Sequence, residues 1–174
     1  IRQIFELSQK RYSGFIAICG DFPNGFARRD AFRKAVLEFG YSPKDLTEIT
    51  LESSYCNAYI LGRNLAGMCD GKLIFSCSDC FTSDVIRALD AAGKKFGRDY
   101  EIIGYDNSEG EGFRPFSEPI ITSVSSDNEI CAILAAKLLI GKIRNPDTTT
   151  TMIRVPTRLT IRKTALNYKE ASYE

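Results

Sequence analysis

The sequence predicts an α/β fold with a mostly parallel sheet and flanking helices, and two observations carry that prediction. Short apolar runs that end in turn residues recur along the chain, as at Phe15–Cys19 before Gly20. Runs of this kind are typical of strands buried on both faces of a parallel sheet. Stretches with apolar residues at helical spacing, such as residues 26–39, lie between them. Strands that alternate with helices of this length form βαβ units with right-handed crossovers.

The first half of the chain supplies three helices and three strands. Each helix is indicated by apolar residues at helical spacing, and the second ends before Gly40 because glycine commonly terminates helices. In order, the predicted elements are a helix over residues 1–11, a strand over 15–19, a helix over 26–39, a strand over 46–51, a helix over 55–68 and a strand over 72–77.

The second half continues the alternation. Gly93 and Gly141 end two further helices, and a polar loop over residues 106–118 separates two strands. In order, the predicted elements are a helix over residues 83–92, a strand over 100–104, a strand over 120–124, a helix over 127–140 and strands over 151–155 and 159–161. The helix over 127–140 is so apolar that we expect its surface to be covered by other parts of the protein or by association.

Length and composition place the chain among soluble globular proteins. Its 174 residues are 44% apolar and 26% charged, which suits one compact domain and argues against intrinsic disorder. Lys and Arg number 23 and Asp and Glu 22, so the net charge of +1 gives no electrostatic reason to bind nucleic acid or an anionic membrane. No apolar run approaches the roughly 20 residues that span a bilayer. Histidine is absent, which excludes Ser-His-Asp and Cys-His nucleophiles and HExxH zinc sites.

The six cysteines do not form the pattern of a disulfide scaffold, because the chain is long and rich in aliphatic residues. A reducing cytoplasm is therefore the predicted location. Cys77 and Cys80 have the CxxC spacing of a redox or zinc pair, but further zinc ligands could come only from Cys56 or Cys69. The favoured interpretation is small buried side chains at a strand end, so we predict no metal and no cofactor. The chain opens on a helical pattern without an initiator Met, and we expect it to be part of a longer protein.

Polar and aromatic residues follow the predicted strands, where open α/β sheets bind ligands. They lie in the segments Asp21–Arg29, Glu52–Tyr55, Ser78–Asp79 and Asp106–Asn107. A carboxylate accepts hydrogen bonds from neighbouring hydroxyls, a guanidinium donates to two acceptors, and an aromatic face covers apolar ring surface. This chemistry predicts a polyol or sugar site. The phosphate-binding patterns GxxxxGK and GxGxxG are absent from the sequence.

Several motifs occur in an order that is typical of one family. They are Arg28-Arg-Asp-Ala-Phe32, Cys77-Ser-Asp79, Asp99-Tyr-Glu-Ile-Ile-Gly-Tyr-Asp-Asn107, Glu118-Pro-Ile-Ile-Thr-Ser-Val124, Ala135-Ala-Lys-Leu-Leu139 and Leu159-Thr-Ile-Arg162-Lys-Thr164. Together these segments resemble the effector-binding domain of the LacI/GalR transcription regulators. The resemblance runs from about residue 12 to residue 164.

The resemblance implies a periplasmic-binding-protein-like type I fold, in which two lobes close on a small ligand. Residues 1–124 would be the second lobe with a preceding helix, 125–150 a crossover helix of the first lobe, and 151–174 the returning terminal strands and tail. The implied function is to bind a sugar-like effector within a homodimeric cytoplasmic regulator. Operator DNA would be bound by an N-terminal helix-turn-helix head outside this chain, under allosteric control by the effector.

The same resemblance identifies candidate ligand contacts. They are Arg28, Asp106, Ser78 and Ser126, with Tyr55 as an aromatic wall. Phe22, on the loop after the first strand, is a further candidate for the pocket wall, although core packing is equally compatible with its position. The family usually has Asn at the position of Ser78 and an amide at that of Ser126, so these residues do not identify the effector.

Each of these assignments has a structural alternative. Asp106 could have the purely structural role of accepting hydrogen bonds from loop amides in an Asx turn. Ser126 could likewise serve as the N-cap of a helix. Asp79 is expected to be a helix-start or structural carboxylate rather than a ligand contact. Two other functions compete with the regulator: an exported sugar-binding protein, and a hydrolase that uses Asp79 and Asp106 as a carboxylate pair.

Overall fold

The protein alternates helices and strands, as the sequence predicts. The computed structural model describes residues 1–8, 12–52, 56–146 and 151–166. The elements are α1 (Arg2–Leu7), β1 (Gly14–Gly20), α2 (Pro23–Glu38), β2 (Leu46–Leu51), α3 (Cys56–Leu65), β3 (Lys72–Ser76), α4 (Asp79–Ala91), β4 (Glu101–Tyr105), β5 (Thr122–Ser126), α5 (Asn128–Arg144) and β6 (Thr157–Thr160).

The six strands form one sheet in the order β2-β1-β3-β4-β5-β6. The first five are parallel, and β6 pairs with β5 in the antiparallel direction. The chain moves from β1 outward to β2 and then crosses back to β3 on the other side of β1. The strand order therefore reverses between β1 and β3, and in open α/β sheets such a reversal marks the usual ligand-binding edge.

The side chains of the central strands alternate between two helical layers. In β1, Ile16 and Ile18 pack in the cluster that includes residues of α3 and α4, whereas Phe15 and Ala17 pack in the cluster that includes residues of α1 and α2. All four side chains are fully buried. The prediction of a sheet buried on both faces is confirmed.

Helix α5 differs from the other long helices because it contributes no buried residue. Its carboxyl-terminal half exposes Leu139 at 62% and Ile143 at 68% of their surface. Its amino terminus is capped by the Asp127 side chain, which accepts a hydrogen bond of 3.1 Å from the amide of Ile130. Within the described residues, no helix has both the length and the apolar character needed to cross a membrane.

Two sequence predictions of strands need correction. The predicted strand over residues 151–155 is wrong, because residues 151–156 have no regular secondary structure and Met152 is largely exposed. The strand predicted over 120–124 begins two residues later, at Thr122. The amides of Ile120 and Ile121 donate to the buried carboxylate of Glu109 instead of entering the sheet ladder.

Several predicted helix boundaries also move. Helix α5 continues past Gly141 to Arg144, and α3 ends at Leu65 rather than at residue 68. Helix α4 begins at Asp79 rather than at residue 83, with Ser78 at its N-cap position. Helix α2 begins at Pro23 rather than at residue 26, because proline is pre-organised for the first helical turn. Helix α1 ends at Leu7, and residues 9–11 of the predicted helix lie outside the described residues.

Gly104, in β4, lies directly against the first residue of α4. A side chain built there would place its Cβ 2.0 Å from Oδ1 of Asp79, the first residue of α4. Only glycine at this position leaves room for the Asp79 carboxylate beside the strand.

We expect Gly104→Ala to lower the free energy of unfolding by about 1–3 kcal/mol, because the added methyl group overpacks a buried contact. Gly141→Ala is the matched control, since a Cβ at Gly141 in α5 meets no atom within 4 Å. That substitution should raise the free energy by about 0.5–1 kcal/mol. Urea unfolding of the two variants measures both effects, and equal stabilities would contradict the packing described here.

Candidate functional site

Arg28 joins the carboxyl ends of two neighbouring strands. It projects from α2, and its Nη1 donates a hydrogen bond of 2.7 Å to the carbonyl oxygen of Cys77, just after β3. Its Nη2 lies 3.0 Å from Oδ1 of Asp106, just after β4. The guanidinium carbon lies 3.8 Å from the centre of the Tyr105 ring, which is within cation–π distance. Arg28 is therefore fixed in place by a carbonyl, a carboxylate and an aromatic face.

Asp106 and Ser78 complete this cluster. The Ser78 hydroxyl lies near enough to the Asp106 carboxylate to help lower the pKa of that group. Burial raises the pKa of Asp106 above its usual value, while the charge of Arg28 and the nearby Ser78 hydroxyl act in the opposite direction. The Asp106 side chain keeps 34% of its surface exposed, so it can still accept hydrogen bonds from a ligand. Three of the predicted site residues thus come together as the sequence implied.

The space beside Arg28 is mainly apolar. A cavity of about 310 Å³ is lined by Arg28 and Tyr105 together with small or apolar residues, among them Ala31 and Val124. A ligand seated here would contact the Arg28 guanidinium on one side and aliphatic surface on the other, a combination that is common in small-molecule sites.

Ser126 lies in a different cavity. This second cavity, also about 310 Å³, is polar and is lined by Ser126, Asn107, Glu111, Asn128 and Arg158 among others. The Ser126 hydroxyl donates a hydrogen bond of 3.3 Å to Oδ1 of Asn128. The alternative that Ser126 caps the helix is wrong, because Asp127 occupies that position. The two cavities are related through the chain, since Tyr105 lines the first and Asn107, two residues later, lines the second.

Of the two aromatic candidates, the structure describes only Phe22. Phe22 is the N-cap residue of α2, and its ring lies close against Gly20, where an added Cβ would be 2.1 Å from the ring. About a third of the Phe22 surface is exposed, so part of the ring faces solvent near the end of β1. Tyr55 lies outside the described residues.

Asp79 is a buried structural carboxylate, as the sequence analysis expected. It has no exposed surface and accepts hydrogen bonds of 2.8 Å from the Ser108 amide and of 2.9 and 3.0 Å from the Ser123 hydroxyl. Burial raises the pKa of Asp79 to about 7, and the two hydrogen bonds act in the opposite direction. The nearby carboxylates of Asp106 and Glu109 add to the increase.

Sequence reasoning did not assign a role at the site to Tyr105, Asn107 or Arg162. Arg162 donates a hydrogen bond of 2.7 Å to Oδ1 of Asn107 and another of 2.7 Å to the carbonyl of Ile121. The signal for all three was present, because Tyr105 and Asn107 flank Asp106 in one motif and Arg162 belongs to the closing motif. Their contacts only become visible once the strands are placed side by side.

Cysteines and carboxylates do not form a metal centre in the part of the chain that the structure describes, where no group of three such ligands is close enough to hold an ion. Cys77 is buried at the end of β3, and burial raises the pKa of its thiol to about 11. Its sulfur accepts a hydrogen bond of 3.2 Å from the amide of Gly20. Cys77 therefore packs as a small side chain at a strand end.

Comparison with known proteins places this geometry in a family. The sequence profile of the periplasmic binding protein-like domain matches residues 7–165. Among curated proteins, the HTH-type transcriptional regulator CelR of Thermobifida fusca is 26% identical over 163 residues, which are 93% of this chain and 47% of CelR. The chain thus spans about half the length of this relative.

Solved structures share the fold. A LacI family transcriptional regulator from Enterococcus faecium with bound ribose matches with a TM-score of 0.77 and 22% identity, over 97% of this chain and 61% of that one. The complex of the transcriptional regulator CelR with cellobiose matches with a TM-score of 0.74 and 24% identity, over 94% and 49%. A LacI transcriptional regulator from a Rhodococcus species matches with a TM-score of 0.76 and 22% identity, over 93% and 58%.

The raised pKa of Asp79 predicts a specific dependence of stability on pH. The native state keeps this proton up to about pH 7, whereas an ordinary aspartate releases it near 3.8. Between these values the native state binds more protons than the unfolded state, so the contribution of Asp79 to stability falls as the pH rises. We expect the free energy of unfolding of the wild type to decrease relative to that of Asp79→Asn over this range. Denaturant unfolding at several pH values measures the difference, and parallel curves for the two proteins would contradict it.

Proposed function

The chain belongs to the family of periplasmic binding protein-like domains, and from this premise we propose that it is the effector-binding domain of a LacI/GalR-type transcription regulator. The effector in this proposal is a sugar or a sugar derivative. The named relatives support it, since they are transcriptional regulators and two of the matching structures contain ribose or cellobiose. Residues 7–165 carry the family match, which includes every candidate contact.

The observation that carries the proposal is the cluster of Arg28, Asp106 and Ser78 over the ring of Tyr105. A carboxylate beside a guanidinium offers acceptors and donors at the spacing of neighbouring hydroxyls on a sugar ring. The charge of Arg28 is balanced by Asp106 at 3.0 Å, which suits a neutral polyol. The apolar wall of the adjoining cavity can cover the carbon face of such a ring.

We further propose that the site binds its ligand without chemical turnover. A carboxylate-dependent hydrolase would need two carboxylates that both reach the substrate. Asp79, the second carboxylate of that hypothesis, is fully buried, and its oxygens accept hydrogen bonds from Ser108 and Ser123. This arrangement supports a binding domain. The export of the chain as a sugar-binding protein is not favoured, because the relatives named here are regulators.

The surface of α5 supports a division into lobes. We propose that residues 1–124 form the second lobe, that the helix within 125–150 packs on the first lobe, and that 151–174 return to the second. Helix α5 buries no side chain and leaves Leu139 and Ile143 mostly exposed. Apolar surface of this extent on a helix needs a partner. The relatives extend well beyond the part that this chain matches.

We place the contact with operator DNA in an N-terminal helix-turn-helix head outside these 174 residues, in a cytoplasmic homodimer. The net charge of +1 on the chain is compatible with this division of labour. Effector binding would change operator affinity to the extent that it favours one arrangement of the lobes. Light scattering on the full-length protein tests the dimer, because a homodimer has a molar mass in solution that is twice the mass of one chain.

Substitution at the cluster tests the ligand site. We expect Arg28→Ala and Asp106→Ala in the full-length protein to weaken the binding of whichever sugar of a panel binds the wild type by about 10- to 100-fold, the effect of losing a hydrogen bond to a charged group. The panel contains ribose, cellobiose and further pentoses and hexoses, titrated by calorimetry.

Arg29→Ala is the matched control for this experiment. Arg29 is the next residue of α2, but its guanidinium contacts Asp30 at 2.9 Å and Glu48 at 3.8 Å, away from Asp106. Its loss should leave sugar affinity within about twofold, as expected for an exposed ion pair. Equal effects of Arg28→Ala and Arg29→Ala would contradict the assigned site.

The division into lobes predicts that Leu139 is covered in the full-length protein. We expect Leu139→Asp to lower the Tm by about 5 °C or more, because it would bury an unpaired charge. Lys137→Asp is the control, since Lys137 lies two residues away and so on the opposite face of α5. Thermal unfolding of the two full-length variants checks this, and a Tm within about 1 °C of the wild type for Leu139→Asp would contradict the covering of Leu139.

A further inference from the structure

The Asp106 carboxylate, which is the proposed ligand contact, lies in a turn with an unfavourable backbone conformation. Asp106 has a φ of 104° and Asn107 a φ of 55°, both in the region that residues with side chains rarely adopt. Such conformations cost free energy and persist only where neighbouring contacts hold them. The direction of the Asp106 side chain toward Arg28 depends on this backbone, so the contacts that hold the turn also set the geometry of the site.

One set of contacts comes from inside the sheet. The Ser108 amide donates a hydrogen bond of 2.8 Å to Asp79. The Asn107 amide donates one of 3.0 Å to the hydroxyl of Ser123, which in turn donates to the same carboxylate. Two consecutive amides of the turn are therefore held by Asp79, one directly and one through Ser123. Asp79 and Ser123 are both fully buried.

A second contact comes from the closing segment of the chain. Arg162 donates a hydrogen bond of 2.7 Å to the side chain of Asn107 and another to the carbonyl of Ile121. Its guanidinium lies 3.8 Å from the buried carboxylate of Glu109, three residues beyond Asp106. The turn is thus held by the sheet on one side and by the segment after β6 on the other.

We propose that Asp79, Ser123 and Arg162 are positioning residues for the ligand site, which hold the turn at Asp106 and Asn107 so that the Asp106 carboxylate faces Arg28. This inference rests on the proposed function for the identity of the ligand contact. The positioning residues act through the Asp106 backbone, and their loss alters the site by releasing the turn. Substitution of Ser123 tests this most directly, because its hydroxyl links an amide of the turn to Asp79.

The test compares Ser123→Ala with Ser83→Ala in the full-length protein. Ser83 is also a buried serine, but its hydroxyl donates to the Cys80 carbonyl within α4 and does not reach the turn. Hydrogen exchange followed by mass spectrometry reports on a peptide over residues 104–110 and on one over β3. We expect Ser123→Ala to speed exchange in the turn peptide by about tenfold, the effect of one lost hydrogen bond, without changing β3. Ser83→Ala should leave both peptides at their wild-type rates.

A graded pair at Arg162 provides a second readout that a purely structural role would not produce. Arg162→Ala should speed exchange in the turn peptide more than Arg162→Lys does, because lysine can still donate one hydrogen bond to Asn107 or Ile121. Crystal structures of the Ser123→Ala and Arg162→Ala variants should show Asp106 turned away from Arg28. A turn peptide that exchanges at the wild-type rate in Ser123→Ala, or a rise shared equally with β3 or with Ser83→Ala, would overturn the proposal.

Sugar titrations separate this inference from the proposed function. The wild-type protein is titrated with ribose and with cellobiose, and the two variants with whichever sugar binds. If the wild type binds neither sugar, that result counts against these two ligands. The hydrogen-exchange rates then decide the role of Ser123 and Arg162. Where a sugar binds, we expect Ser123→Ala to weaken it by about tenfold. Unchanged affinity together with a faster turn peptide would show that the turn does not position Asp106, and would overturn the inference.

Discussion

The buried carboxylate of Asp79 is the contact through which the ends of three elements are held in register. Asp79 is the first residue of α4 and lies beside Gly104 of β4. Its carboxylate accepts hydrogen bonds from Ser123 of β5 and from Ser108 of the loop after β4. Burying a carboxylate is costly, which is why its pKa rises to about 7. The cost is offset by hydrogen bonds and by the favourable placement of an acidic group in the first turn of a helix. The strands around it consequently end at fixed positions.

Arg28 depends on that register because it reaches across two strand ends. Its hydrogen bond to the Cys77 carbonyl and its ion pair with Asp106 require β3 and β4 to terminate at matching heights. Tyr105 supplies a flat surface beneath the guanidinium, which restricts its rotation. A group held in this way before a ligand arrives loses little conformational entropy on binding. The site is therefore pre-organised by the same sheet that forms the core.

Sequence patterns predicted the order of elements well and their ends less well. Apolar runs and helical spacing depend on local sequence, so β1, β3 and α2 were found near their true positions. The start of β5 was missed because Glu109 removes the amides of Ile120 and Ile121 from the ladder, a contact between residues 11 or 12 positions apart. Residues 151–155 were predicted as a strand from the local sequence alone, but a strand also needs a neighbour to pair with.

The parts of the site whose positions depend on strand order could be predicted from the sequence, and the others could not. Arg28, Ser78 and Asp106 converge because each follows a strand of one parallel sheet, and ligands bind at that edge. Ser126 also ends a strand, yet it lines another cavity, since β5 is one strand further from the switch point. The stacking of Tyr105 and the long reach of Arg162 could not be predicted, because both depend on side-chain directions that no spacing rule supplies.

The pairing of β5 with β6 has a mechanical consequence. The chain leaves the sheet after Ser126 and re-enters it at Thr157, and these two residues face each other across the antiparallel ladder. Everything between them, including α5, is therefore attached to the sheet at two adjacent points on one edge. A body attached by two neighbouring strands turns most easily about the line that joins them, and twisting in other directions strains the ladder. Rotation of α5 about this edge of the sheet is therefore the motion that the connection resists least.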